Sequence, residues 1–267
     1  MKMFDKEKLR DLKETLKHDD RPIFLENVLE CPEDWANWKD IEYCCENPSI
    51  FDVRYFNKVE SKYDGVTVVK LMTNSENEAH AIERRGNLTR KNKRLNPVKV
   101  TDAKKLLNKN HSIIITNFEY KNENCKNMID FLCHLFYYNV ENHGVWPAKI
   151  GPNSGHAHCY AGKKESNSFS PHVDGPANFI FQIEGQQKFT VYENKKCALT
   201  EIAMPADAPL EYRKEVYDNL RVYEERIMNP GDMVYVPSRT YHYVEPVTDR
   251  ISMSFPLILK GPTSVML

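Results

Sequence analysis

SPHVDGPANFIFQIEGQQKFTVYE, residues 170–193, is the stretch on which the reading of this chain turns. A strand at 168–173 runs into His172-Val173-Asp174-Gly175, and strands at 177–184 and 187–193 follow, separated by turn residues. Successive side chains on a strand point to opposite faces, so residues two apart share a face. His172 and Asp174 therefore project together from one strand end. An imidazole and a carboxylate placed this way supply two of the three ligands of a facial triad, which leaves coordination positions open for other groups.

The third ligand must come from elsewhere, and His242 is the candidate. It lies 68 residues beyond Asp174, within NPGDMVYVPSRTYHYV at 229–244. Pro230-Gly231-Asp232 is a strong turn signal. An apolar strand follows it, then a turn containing Pro237, then His242 at the start of another strand. An isolated HxD has little specificity, and an isolated histidine before a strand is usually structural. The combination of HxD, paired strands and the later turn–strand–histidine unit is far more specific for a metal centre.

The strand texture extends outward from this core. Short strands are predicted at 156–162, 168–173, 177–184, 187–193, 223–228, 233–236, 241–245 and 250–259. Such a series is the signature of a sandwich or barrel. Residues 194–222, with Pro205, Pro209 and a charged, Tyr-rich segment, read as an insertion between strands. Before residue 150 the chain is mixed. Leu9, Leu12 and Leu16 give an amphipathic helix at 6–18, and 21–29 reads as a short strand. Pro32 with acids behind it suggests a helix start over 32–40. Strand-like runs occupy 51–56 and 66–72, a polar loop 75–99, a helix 101–108, a buried strand 111–118 and a core helix 122–138. The fold class expected is mainly β with flanking helices. Residues 1–150 would pack on a catalytic core of 151–267, the two forming one continuous domain.

Composition narrows the function classes. The chain has 267 residues, 41% of them hydrophobic, enough for a sizeable core. Lys and Arg total 37 against 38 Asp and Glu, so no global attraction to nucleic acid or membrane is expected. No apolar run reaches the roughly 20 residues of a membrane span. The charged N-terminus lacks the apolar stretch of a signal peptide, so a cytoplasmic location is expected. Seven scattered cysteines without a CxxC pair suggest reduced, structural thiols, with vicinal Cys44-Cys45 a minor redox candidate.

The segments SPHVDGPANFIFQIEGQQKFTVYE (170–193) and NPGDMVYVPSRTYHYVEPVTDRISMSFPL (229–257) resemble the Jumonji-C and cupin-like branch of the 2-oxoglutarate-dependent oxygenases. RPIFLENVL with Trp35 and Trp38 resembles that branch's entry segment more weakly. The resemblance implies an eight-stranded double-stranded β-helix, or jelly roll, with a helical N-terminal part. It also implies Fe(II) held by His172, Asp174 and His242, with 2-oxoglutarate as cosubstrate. The chemistry implied is oxidation of a substrate coupled to decarboxylation of 2-oxoglutarate, with hydroxylation of an unactivated C–H bond as the default. A carboxylate ligand argues against halogenation, which needs that position for halide.

The distal carboxylate of 2-oxoglutarate requires a cation, because a buried carboxylate is costly unless paired. The branch usually carries lysine where this chain has Gln187. Lys188 is one residue out of step, and alternation would aim it at the opposite face. Arg250, in Arg250-Ile251-Ser252, resembles the R-x-S pair of other branches and is the favoured cation, with Ser252 assisting and Lys188 as the competitor. Asn178, Ser170 and Tyr160 are further cosubstrate candidates, and His156 and His158 alternate with Tyr160 on one strand. The partners expected are molecular oxygen and a small molecule, amino acid, peptide or protein side chain, with a homodimer left open. A cupin-type metalloenzyme that does not use 2-oxoglutarate, a hydroxylase or demethylase acting on a macromolecule, and a non-catalytic binding module are the alternatives. The basic run Arg84, Arg85, Arg90, Lys91, Lys93, Arg94 and Lys99 could grip an anionic partner, although a solvated loop is its commoner meaning.

Overall fold

Alternation of residue type along a few strands sets the architecture. In the computed structural model, residues 3–17, 20–47, 50–56, 72–73, 112–138, 156–164, 166, 171–195 and 210–257 are described. The strands are β1 (Ile23–Leu25), β2 (Asp52–Phe56), β3 (Met72–Thr73), β4 (Ser112–Thr116), β5 (His158–Gly162), β6 (His172–Val173), β7 (Ala177–Glu184), β8 (Gln187–Lys195), β9 (Val222–Met228), β10 (Met233–Val236), β11 (Thr240–Pro246) and β12 (Arg250–Leu257). One antiparallel sheet has the order β1-β10-β7-β12-β5-β4-β2-β3, and a second has the order β6-β11-β8-β9. From β5 onward the chain passes back and forth between the sheets and leaves four of its strands in each. That is the double-stranded β-helix.

Side-chain alternation gives the large sheet two apolar or mixed faces. Phe179, Phe181, Met233, Tyr235, Ile251, Met253 and Phe255 point to one face and join the main core. The helices that cover this face are α1 (Lys6–Leu16), α2 (Trp38–Glu46) and α3 (Glu123–Cys133). They contribute residues such as Leu9, Ile41, Met128 and Leu132. The intervening residues Ile180, Val234 and Val236 point the other way and meet Phe189, Val191 and Met228 of the small sheet. The functional cavity lies between the two sheets, where this second cluster gives way to polar side chains.

Three local readings change. The helix expected over 32–40 is a 3-10 turn at Pro32–Asp34, followed by α2. The cause is Asn37, whose side chain accepts from the backbone N–H groups of Lys39 and Asp40 at 2.9 and 3.2 Å. Asp40 accepts in return from the Asn37 N–H at 3.1 Å, so a capping box starts the helix six residues late. The core helix of 122–138 is α-helical only to Cys133 and continues as a π-helical turn, His134–Tyr138. The insertion at 194–222 contains a helix, α4 (Leu210–Asp218). The readings at 75–99 and 101–108, the basic run, Ser168 to Ser170 and Cys197 lie outside the described residues.

Cys44, Cys45, Cys125, Cys133 and Cys159 are buried thiols outside any disulfide. Burial pushes the Cys133 thiol up to about 11 and raises Cys44 further, which suits packing and not redox chemistry. Among the described residues no helix is long and apolar enough to cross a membrane.

Candidate metal centre

β6 and β11 pair antiparallel with His172 directly opposite His242. Directly opposed residues share a face, so the cross-strand register brings the two imidazoles together, with ring centroids 4.3 Å apart. Asp174 follows β6 on the same side. One ligand atom from each of His172, Asp174 and His242 falls within 4.8 Å of the others, and no other such group of three occurs among the described residues.

The surroundings fix His242 and Asp174. His242 Nδ1 lies 3.0 Å from the Thr240 carbonyl oxygen. A carbonyl only accepts, so Nδ1 carries the proton and Nε2 presents its lone pair to the centre. Nε2 stands 3.6 Å from Asp174 Oδ2. Phe189 stacks on the His242 ring at 5.7 Å and 7°, which holds its plane. Asn178 Nδ2 donates to Asp174 Oδ2 at 3.0 Å, and Ser254 Oγ donates to Asn178 Oδ1 at 2.6 Å. The Arg239 N–H donates to the Asp174 carbonyl at 2.8 Å, and Ser238 Oγ to the Gly175 carbonyl at 2.5 Å, which dock the β10–β11 turn on the ligand loop. Burial works to raise the Asp174 carboxyl. The imidazoles of His242 and His172, with the Asn178 hydrogen bond, outweigh it and hold the carboxyl below its ordinary value. Asp174 is thus an anion suited to a divalent cation.

The triad opens into a cavity also lined by Tyr160, Asn178, Gln187, Phe189, Arg250 and Ser252. Arg250 is 5% exposed, and its Nε and Nη1 have no hydrogen-bond partner among the described residues. Burial pushes its pKa down to about 10, which leaves it a cation at neutral pH. Ser252 and Ser254 follow at two-residue steps on the same face of β12, and Ser252 stands opposite Tyr160 of β5. Lys188 behaves differently. Gln187 and Phe189 on either side of it face the cavity, so alternation turns Lys188 away. Its ammonium pairs with Glu245 at 2.6 Å and Glu225 at 3.6 Å on the outer surface. Of the two candidate cations, Arg250 is the one beside the triad.

The remaining candidates divide. Tyr160 is at the cavity. Asn178 is there too, but both ends of its amide are engaged with Asp174 and Ser254, so it steadies a ligand, a duty the sequence reading did not give it. Ser170 is outside the described residues. His156 is exposed beside Glu119 at 3.5 Å, while His158 is near enough to help lower Asp174. Thr240, Ser254 and Phe189 support the centre without having been singled out for it. The i, i+2, i+4 run of Arg250, Ser252 and Ser254 was the available signal for Ser254.

Comparison with known proteins agrees with this architecture. A family model described as the JmjC domain matches residues 150–266. No curated protein matches the chain. A crystal structure of the Escherichia coli ribosomal oxygenase YcfD is similar at 14% identity with a TM-score of 0.56, covering 95% of this chain and 52% of that one. The same protein with cobalt and succinic acid aligns at 13% identity and a TM-score of 0.53, over 96% of this chain and 52% of that one. Its complex with cobalt and 2-oxoglutarate aligns at 12% identity and a TM-score of 0.53, with the same coverage. The chain spans about half the length of these structures, and at such identity the likeness is one of fold. The stretch matched by the JmjC family model contains strands β5 to β12 of this protein.

Proposed function

We propose that the protein is an Fe(II)- and 2-oxoglutarate-dependent oxygenase that hydroxylates an unactivated C–H bond. The observation that carries this reading is the pairing, in one cavity, of a two-histidine, one-carboxylate set with a buried guanidinium whose Nε and Nη1 lack partners among the described residues. The donor set suits iron(II). Arg250, whose Nε and Nη1 lack partners among the described residues, suits the far carboxylate of a keto diacid, because a buried cation without an anion is expensive and charge-assisted hydrogen bonds to a carboxylate are strong. Residues and cofactors therefore fit one another.

His172, Asp174 and His242 would hold the iron. Iron(II) with 2-oxoglutarate and oxygen supplies the oxidising power that converts C–H to C–OH, the keto acid leaving as succinate and carbon dioxide. The chain's own work is orientation. Thr240 holds the His242 tautomer, Asn178 holds the Asp174 carboxylate, and Phe189 fixes the His242 plane. Arg250, assisted by Ser252 and Tyr160, would bind and neutralise the distal carboxylate. Ile180, Phe189 and Val244 make the adjoining wall apolar and limit water near the reacting centre.

For the substrate, the name ribosomal oxygenase carried by the structural neighbours favours a protein side chain over a free metabolite. The test is anaerobic loading with Fe(II), followed by calorimetric titration with 2-oxoglutarate and by succinate assay in air over peptide and small-molecule panels. Metal-dependent 2-oxoglutarate binding and substrate-stimulated succinate formation are expected. Tight metal binding with no affinity for 2-oxoglutarate would instead favour a cupin-type enzyme of other chemistry. His172→Ala and Asp174→Ala should each abolish turnover while circular dichroism stays native, and turnover retained by both would sink the assignment.

A further inference from the structure

Gly162 ends β5 directly opposite Arg250 of β12. Opposed residues on antiparallel strands share a face, so the guanidinium lies over the spot where a residue-162 side chain would stand. A Cβ built there would meet Arg250 Nη1 at 3.3 Å, Ser112 Oγ at 3.2 Å and Ser166 Oγ at 2.5 Å. The backbone does not call for glycine at this position, since the described glycines with positive φ are Gly185 and Gly231. A glycine in a strand gives up packing and costs entropy, and it commonly marks close approach by another group. Here Ser166 Oγ and Ser112 Oγ come nearest, with the Arg250 head just beyond them.

The wall behind the guanidinium is held firmly. Ser112 Oγ donates to the Ser166 carbonyl at 2.8 Å, and Ser166 Oγ donates to the Lys163 carbonyl at 2.7 Å. The turn carrying Ser166 is tied to Asp249 by the Lys164 N–H at 3.0 Å and by Lys163 Nζ at 2.7 Å. Both serine hydroxyl protons are spent on carbonyls, which fixes the two side chains in place. A methyl group at 162 would stand 3.3 Å from Nη1 and press the guanidinium away from this wall.

We propose that Gly162 is the length gauge of the cosubstrate site. By carrying no side chain it lets the Arg250 head sit back from the metal ligands, and so admits a five-carbon keto diacid in preference to a four-carbon one. This rests on the reading of the cavity as a 2-oxoglutarate site. The keto-acid end is anchored at the metal and the far carboxylate at Arg250, so the separation of the two anchors selects chain length. Gly162 is thereby a specificity-determining residue that acts through Arg250.

The test uses the full chain loaded with Mn(II), which permits binding without turnover. Calorimetry gives Kd values for 2-oxoglutarate and for oxaloacetate, the acid one methylene shorter, in wild type, Gly162→Ala and the double variant Gly162→Ala/Ser166→Ala. Wild type should prefer 2-oxoglutarate. Gly162→Ala should bind 2-oxoglutarate about tenfold more weakly, the scale of one methylene in a fitted pocket, and oxaloacetate equally well or better. The double variant removes the 2.5 Å contact and keeps the one with Arg250, so it guards against simple misfolding and should show the same reversal. An unchanged Kd ratio in Gly162→Ala, or a wild-type ratio restored in the double variant, would overturn the gauge. Wild type that binds metal but neither acid would overturn the reading of the site beneath it.

Discussion

Arg250 shows most directly how the cost of a residue can point to its use. Its head is buried, and two of its nitrogens lack partners among the described residues. Buried charge without compensation is destabilising, and apolar replacements of similar volume commonly stabilise. Arg250→Met should therefore make the ligand-free protein more stable, by about 1–3 kcal/mol. It should also forfeit the cosubstrate's contribution. Saturating wild type at about 100 times Kd adds about 2.7 kcal/mol, and the variant should gain nothing. Denaturant titrations of the Mn(II) forms with and without 2-oxoglutarate test both halves, and a Met variant still stabilised by the acid would remove Arg250 from the site. The same scale shows what one sequence can reveal. Strand alternation was enough to turn Lys188 outward and Gln187 inward, because a period of two is local information. The duties of Asn178 and Gly162 were not legible, because they arise from Asp174, Ser254 and Arg250, contacts that only the folded pairing creates. Asn178→Ala should weaken metal affinity about 10–100-fold, the usual effect of losing a group that orients a ligand, with little change in the far-ultraviolet spectrum.

At the scale of elements, turns and caps matter more than propensities. Pro230-Gly231-Asp232 was read as a turn, and the structure adds what the turn does. Gly231 has φ 96°, where a Cβ would also approach the Leu29 carbonyl at 3.1 Å. Its own carbonyl accepts from the N–H groups of Val28 and Leu29 at 2.7 and 3.1 Å. Asp232 Oδ1 accepts from the Asn27 N–H at 3.0 Å, and Oδ2 from the Asn229 N–H at 2.8 Å. The β9–β10 turn is thus a staple that fastens the segment after β1 to the barrel. Asp232→Ala strands two backbone donors and should cost about 2–4 kcal/mol, seen as a lower urea midpoint at unchanged slope. A loss below about 0.5 kcal/mol, the ordinary range of surface changes, would show that water replaces the carboxylate. The helix misplaced over 32–40 follows the same logic. Pro32 and two acids are a fair start signal, yet Asn37 with Asp40 closes a reciprocal box and wins, since two satisfied donors outweigh a favourable first-turn composition.

For the molecule as a whole, the strand series after residue 155 was legible from turn spacing, while the division expected near residue 150 rests on a change of texture alone. What the pattern could not contain was the sheet order. β4 pairs with β5, placing Ile115 opposite Cys159, and β1 pairs with β10, placing Phe24 opposite Val234. Both are long-range registers that no local period encodes. They carry the large sheet across the apparent boundary, and the core face of β7, β10 and β12 is covered by α1, α2 and α3 from the N-terminal half. The two halves should accordingly behave as one cooperative unit. A fragment of 151–267 would leave Phe179, Phe181, Met253 and Phe255 uncovered and the β5 and β10 edges unpaired, the combination that favours aggregation over folding. Such a fragment is expected to be insoluble or to lack a cooperative unfolding transition, whereas the full chain should unfold in one step monitored by both fluorescence and circular dichroism. A soluble fragment that melts cooperatively and binds Mn(II) like the full chain would refute this, and would mean that the barrel's outer face is stable without the helices that now cover it.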